Sequence, residues 1–191
     1  IMDIVEELIT STINDLFIQR GKEMKYYDNK EEITVDKIPR VTYQKCLDDL
    51  KGLGESLEFG DDLSDLALRK LGEIYPKFYF IIDWPTKLKP FYILEHKNKS
   101  DLSKSFDLQY GYLEIVSGGN REHNSEKLRN KLLEKGLDPG SFSDHLKTFE
   151  WGMPPHSGCG IGFDRLMMIL TNSTNIREVV LYPRDTERLK P

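Results

Sequence analysis

The stretch Phe106-Asp107-Leu108-Gln109-Tyr110-Gly111-Tyr112-Leu113-Glu114 decides how this chain is read. It can fold as a β-hairpin, because glycine at the second position of a two-residue turn at Tyr110-Gly111 tolerates the positive φ such turns need. That turn pairs Gln109 with Tyr112 and Leu108 with Leu113, and sets Asp107 opposite Glu114. Directly opposed side chains lie ~5 Å apart on a sheet. Two carboxylates at that distance repel, so one takes up a proton or both share a cation. Magnesium suits oxygen ligands and leans on one or two carboxylates plus substrate phosphates. The pair therefore points to a nucleotide site. The competing reading is a different register, with both acids solvated.

Working outward, Phe78–Ile82 is a continuous aromatic and β-branched run, the pattern of a buried strand. Pro90–Leu94, Lys104–Leu108, Leu113–Val116 and Glu178–Tyr182 are further strand candidates, and Gly158–Gly162 is a strand or turn. Helices are expected over Glu126–Lys135, ended by Gly136, and over Phe142–Trp151 and Phe163–Thr171. In the first half, Ile4, Val5, Leu8, Ile9, Thr12, Ile13, Leu16 and Phe17 form one broad helical face over residues 1–20, with Gly21 as the stop. A short strand is expected at Glu32–Val35, a helix capped by Thr42 running to Leu50, and another from Leu63 to Leu71 after Asp61 and Asp62. Hairpin-linked strands beside separate helices predict an α+β fold, an antiparallel sheet flanked by helices.

The chain has 191 residues, 38% hydrophobic and 31% charged, enough for one core. Its apolar runs fall far short of the roughly 20 residues of a membrane span. Ile1–Thr10 carries three acidic residues, unlike a secretory signal. Cys46 and Cys159 stand apart, which argues against a zinc cluster and for a reducing, cytoplasmic location. A net charge of −5 makes any nucleic-acid contact local rather than general.

Two arginines follow glycines. In Ser117-Gly118-Gly119-Asn120-Arg121 the glycines would let a ligand approach the backbone, and Arg121 offers a fork for a carboxylate or phosphate. A surface arginine in a loop is the competing reading. In Gly158-Cys159-Gly160-Ile161-Gly162-Phe163-Asp164-Arg165 the alternating glycines leave one face of an extended segment bare, where a flat ring such as adenine could lie. Arg165 falls in the first turn of the next helix, where a cation opposes the helix dipole unless both hold an anion such as a triphosphate. A tight crossing of strands would also explain these glycines.

Taken together and in order, these segments resemble the aspartyl branch of the class II aminoacyl-tRNA synthetases, archaeal/eukaryotic type. Gly158–Arg165 is similar to motif 3 (Gly-x-Gly-x-Gly-x-x-Arg), with Phe163-Asp164-Arg165 where Glu-Arg is the commoner ending. Asp107–Leu108, Glu114–Arg121, Ile81-Ile82-Asp83-Trp84-Pro85, Lys89-Pro90-Phe91-Tyr92, Gly152-Met153-Pro154-Pro155-His156 and Tyr182-Pro183-Arg184-Asp185 fit the same branch. The resemblance implies that Asp107 and Glu114 hold Mg2+ on the phosphates of ATP, with ATP a substrate. Arg121 reads the side-chain carboxylate of L-aspartate, with Ser117 beside it and Asp83 toward the amino group. Arg165 takes the γ-phosphate end, and Gly160 and Gly162 border the adenine. His156 and His123 would shape the pocket or simply pack.

Strict alternation along the strand would separate Glu114 from Ser117, so a bulge is required if both line the site. The implied partners are tRNA (Asp, with Asn open) and a second copy of the chain. Motifs 1 and 2 and the anticodon-binding domain are not found, so the chain is expected to be the C-terminal part of the catalytic domain, inactive alone. Two other readings stay open: a paralogue acting on a free amino acid, of the ammonia-dependent asparagine synthetase type, and a non-catalytic dimerisation or RNA-binding module.

Overall fold

The computed structural model describes residues 1–27 and 37–189. The strand expected at Glu32–Val35 lies outside the described residues. Helix α1 (Met2–Met24) is followed by β1 (Arg40–Thr42), α2 (Tyr43–Gly52), α3 (Asp65–Ile74) and β2 (Phe78–Ile82). Then come β3 (Glu95–His96), β4 (Lys99–Ser103), β5 (Ser105–Tyr110) and β6 (Leu113–Asn120). The chain continues through α4 (Ser125–Glu134), α5 (Ser143–Glu150), β7 (Ser157–Ile161) and α6 (Phe163–Leu170).

Five strands make the main sheet in the order β1-β2-β5-β6-β7, while β3 and β4 pair separately. The expected antiparallel pairing holds for β2–β5, β5–β6 and β6–β7, but β1 runs parallel to β2. The cause is connectivity: α2 and α3 form the crossover that a parallel pair needs.

Period-two alternation along the strands sorts side chains onto two faces. One face carries Phe78, Phe80, Phe106, Leu108, Ile115 and Val116, packed under Val5, Ile9 and Ile13 of α1 and Leu166, Ile169 and Leu170 of α6. On the other face Tyr79 and Ile81 pack with Tyr43, Cys46, Leu47 and Leu50 of α2 and Ala67 and Leu71 of α3. That second layer covers the β1–β2 side. Further along the same face, Ser117 of β6 and Gly160 of β7 are exposed. The half-open face is where a ligand can lie against the sheet.

Local chemistry explains most boundaries. Thr42 caps α2, accepting from the Lys45 N–H. Ser64 rather than an aspartate caps α3, accepting from the Ala67 N–H, so the helix starts after Leu63; Asp61 instead accepts the Glu58 N–H in the preceding turn. Gly21 does not end α1: the helix kinks at Arg20 (φ −129°, ψ 21°) and continues until Met24 is buried in the core. Gly136, at φ +70°, follows α4 as expected.

Two strand expectations fail. Pro90–Leu94 is not a strand: the Pro90 carbonyl accepts the Ile93 N–H in a turn, and Ile93 makes only an isolated bridge to Arg121. Glu178–Tyr182 is irregular, because Val179 N–H bonds back to Ile176 in a single 3-10 turn (Ile176–Glu178) instead of joining a ladder.

Candidate active site

The β5–β6 hairpin forms, but not in the expected register. The turn is Gly111-Tyr112, one residue later, with Gly111 at φ +55° and Tyr110 paired with Leu113. Gln109 then faces Glu114, and the register shifts so that Leu108 faces Val116 and Asp107 faces Ser117. The direct opposition of Asp107 and Glu114 is therefore corrected. Ile115 is the extra residue of a β-bulge, and the bulge lets both Ile115 and Val116 enter the core. An unbulged strand would have set Val116 opposite Asp107, on the half-open face. The same bulge supplies what strict alternation denied: Glu114 and Ser117 lie on one face, with Asp107 and Gln109 beside them.

The carboxylates still sense each other. Burial, and then the Asp107 charge, push Glu114 above the ordinary carboxylate range, while Arg165 and Lys89 pull it back. Asp107 is almost fully buried; one oxygen accepts from the Lys89 ammonium at 2.6 Å, and Oδ1 has no partner. Gln109 Oε1 and the Tyr79 hydroxyl, on neighbouring positions of the same face, are also buried without a partner. A lone buried acceptor costs about 1–3 kcal/mol. Asp107 Oδ1 and Gln109 Oε1 are oxygen acceptors suited to a hydrated hard cation, so the donor set fits Mg2+, while Tyr79 packs in the core under α2 and α3. Among the described residues no cluster of three or more His, Cys, Asp or Glu could hold a metal by itself. The two carboxylates would thus need oxygens from a ligand to complete the shell.

The two arginines stand at the edges of this face, each held in place. Arg165 donates from Nη1 to the Glu114 carbonyl at 2.8 Å and sits 3.7 Å from its carboxylate. Arg121 lies 4.6 Å above the Tyr92 ring, and its backbone N–H bonds to His156 O. A side chain at Gly158 would press within 3.3 Å of the Arg121 guanidinium, so this glycine makes room for the arginine. Gly160 faces open space, and Gly162 ends β7 by donating to Ile115 O.

The other glycine pair has a different cause from the one expected. A Cβ on Gly118 would stand 2.6 Å from Gly158 O, and one on Gly119 2.7 Å from Lys104 O. These glycines serve strand packing rather than ligand approach.

Asp83 leaves β2 in a left-handed conformation (φ +57°) and pairs with His96 Nε2 at 3.0 Å. The ring of His156 is held by the Pro154 carbonyl. His123 lines a separate cavity of about 600 Å³ with His96, Glu122 and Lys131. Sequence reasoning gave no role to Lys89 or Gln109. Gln109, two residues from Asp107, was legible by alternation; the burial of Lys89 had no local signal.

The α+β architecture that carries this site is that of the class II aminoacyl-tRNA synthetases. The chain belongs to the tRNA synthetases class II (D, K and N), whose family model matches residues 1–186. Its relatives include the aspartate–tRNA(Asp) ligase of Picrophilus torridus, 44% identical over the whole chain and 45% of that protein. The aspartate–tRNA(Asp/Asn) ligase of Methanosphaera stadtmanae is 40% identical over the whole chain and 43% of its own length. The chain thus spans less than half the length of these curated relatives.

Among solved structures, the asparaginyl-tRNA synthetase of Pyrococcus horikoshii superposes over the whole chain and 46% of its own (TM-score 0.93, 32% identity). The aspartyl-tRNA synthetase of Entamoeba histolytica does so over the whole chain and 41% of its own (TM-score 0.89, 32% identity).

Proposed function

We propose that this chain is the C-terminal part of the catalytic domain of an aspartate–tRNA ligase that activates L-aspartate with ATP and passes it to tRNA. The observation that carries the reading is the bulge in β6, which gathers Asp107, Glu114 and Ser117 on one face beside Gly160, which faces open space. The names of the relatives at 40–44% identity favour aspartate over asparagine, as does Gly152-Met153-Pro154-Pro155-His156.

In the first step an aspartate α-carboxylate oxygen attacks the α-phosphorus of ATP, forming aspartyl-adenylate as pyrophosphate leaves. In the second, a terminal ribose hydroxyl of tRNA attacks the activated carbonyl and AMP leaves. Arg121, held flat by Tyr92 and given room by Gly158, presents its fork to the substrate's side-chain carboxylate. Ser117 lies on the same face, and Asp83, restrained by His96, is the acid offered to the substrate ammonium. Arg165, anchored on the Glu114 carbonyl, faces the γ-phosphate. Gly160 and Gly162 border the adenine. Asp107 and Glu114 would hold Mg2+, which neutralises charge on the triphosphate. Positioning and fixed charge do the work, with no covalent help from side chains. The same reading makes the protein cytoplasmic and a homodimer.

The test is aspartate-dependent ATP–pyrophosphate exchange by the full-length protein. Arg121→Leu is expected to abolish it while ATP binding persists. An exchange rate near wild type would remove Arg121 from the substrate pocket.

A further inference from the structure

We propose that Lys89 is a resident counter-ion of the carboxylate pair, which holds Asp107 until a divalent ion enters with its nucleotide and then gives up that contact, keeping its seat on the face of Trp84. The proposal rests on the reading of Asp107 and Glu114 as metal ligands.

Lys89 lies just after the 3-10 turn Thr86–Leu88, in a stretch with nothing in its sequence to bury it. Yet its side chain is only 14% exposed and that of Asp107 3%. A buried ammonium persists only when paired, and the pair here is a direct 2.6 Å contact. The groups facing Asp107 are charged on both sides: Glu114 adds a second negative charge, and Arg165 lies 3.7 Å from the Glu114 carboxylate. Lys89 is the cation bonded to Asp107 itself.

A magnesium ion binds carboxylate oxygen at about 2.0–2.1 Å. Oδ1 of Asp107 is open to the ion, but with Lys89 still 2.6 Å from Oδ2 of the same carboxylate the two cations would repel strongly in a site shielded from water. Ion and lysine therefore compete for Asp107. The displaced ammonium is not stranded, because its nitrogen already lies 3.9 Å from the Trp84 ring centroid, a cation–π seat. Competition makes the free ion a weak ligand. The triphosphate adds negative charge and coordinating oxygens that shift the balance, so the ion enters with the nucleotide rather than ahead of it.

The test measures Mn2+ binding to the full-length protein by electron paramagnetic resonance, without nucleotide. Lys89→Met keeps an unbranched side chain of similar length and removes the charge, and is expected to bind free Mn2+ at least about tenfold tighter than wild type. Lys89→Arg keeps the charge and should stay within a few-fold. Binding by Lys89→Met that is equal or weaker, while Asp107→Asn loses the ion, overturns the role of Lys89 and leaves the metal reading intact. Full retention of Mn2+ by Asp107→Asn overturns both.

A second measurement needs no variant. Bonded to Asp107 and only 14% exposed, the Lys89 amine is shielded from reagent, so its release by saturating Mg2+ should raise its acylation rate several-fold, read by mass spectrometry. An unchanged rate would refute the competition even if Lys89→Met failed to fold.

Discussion

A methyl group added at Gly118 or at Gly160 should have opposite consequences, although both glycines lie in paired strands. A Cβ at Gly118 would stand 2.5 Å from the Cys159 Cβ and 2.6 Å from the Gly158 carbonyl. The second of these is backbone in the neighbouring strand, so the sheet itself must shift. Overpacking of that kind costs about 2–3 kcal/mol. Each kcal/mol moves Tm by about 2–4 °C in a domain of roughly 200 residues and by less in a longer protein, so full-length Gly118→Ala should melt a few degrees below wild type. At Gly160 nothing lies within 4 Å of the added atom. Gly160→Ala should be neutral or raise stability by up to about 1 kcal/mol, since it restricts the unfolded chain.

The cost at Gly160 should appear in ligand binding, because a side chain there fills the layer in which the adenine would lie. Gly160→Val should raise the KM for ATP about tenfold, or about 1.4 kcal/mol. The assays are thermal melting and the ATP dependence of pyrophosphate exchange in the full-length protein. An unchanged KM in Gly160→Val would refute the bare-face argument. A melting loss in Gly160→Ala equal to that of Gly118→Ala would refute the assignment of open space.

Two further outcomes follow from the acids. Asp107→Ala and Glu114→Ala should each shift the Mg2+ dependence of the exchange reaction to higher concentration, and an unshifted titration would exclude both as metal ligands. Glu114 titrates above its ordinary value of 4.5 because of burial and then Asp107. The folded state therefore holds a proton that the unfolded state releases, and stability is lost as pH rises through the window just above 4.5. In the absence of metal and nucleotide, Glu114→Gln should melt above wild type at neutral pH, with the advantage closing in more acidic buffer. A difference that does not vary with pH would show that the carboxylate charge is not its cause.

The sequence alone determined a great deal here, because the signals were local. The aromatic run at Phe78–Ile82 fixed a buried strand, and Thr42 and Gly136 marked helix ends through capping and left-handed geometry. The alternation of the glycines at 158 and 160 was legible, since period-two geometry needs only one strand; that Gly160 faces open space while Gly158 lies under the Arg121 guanidinium was not.

What tertiary structure decided was register and burial, which depend on a second surface. Moving the turn to Gly111-Tyr112 and inserting Ile115 changed the partner of Asp107 from Glu114 to Ser117. The driving force is the apolar core beneath, which takes both Ile115 and Val116. No pairwise rule along the hairpin contains that demand. The true role of Gly118 and Gly119 came from the strands beside them, and the burial of Lys89 against Asp107 and Trp84 came from three separate segments meeting. Most residues of the candidate site could be named from the chain; which of them share a face, and which cation pairs with Asp107, is set by packing.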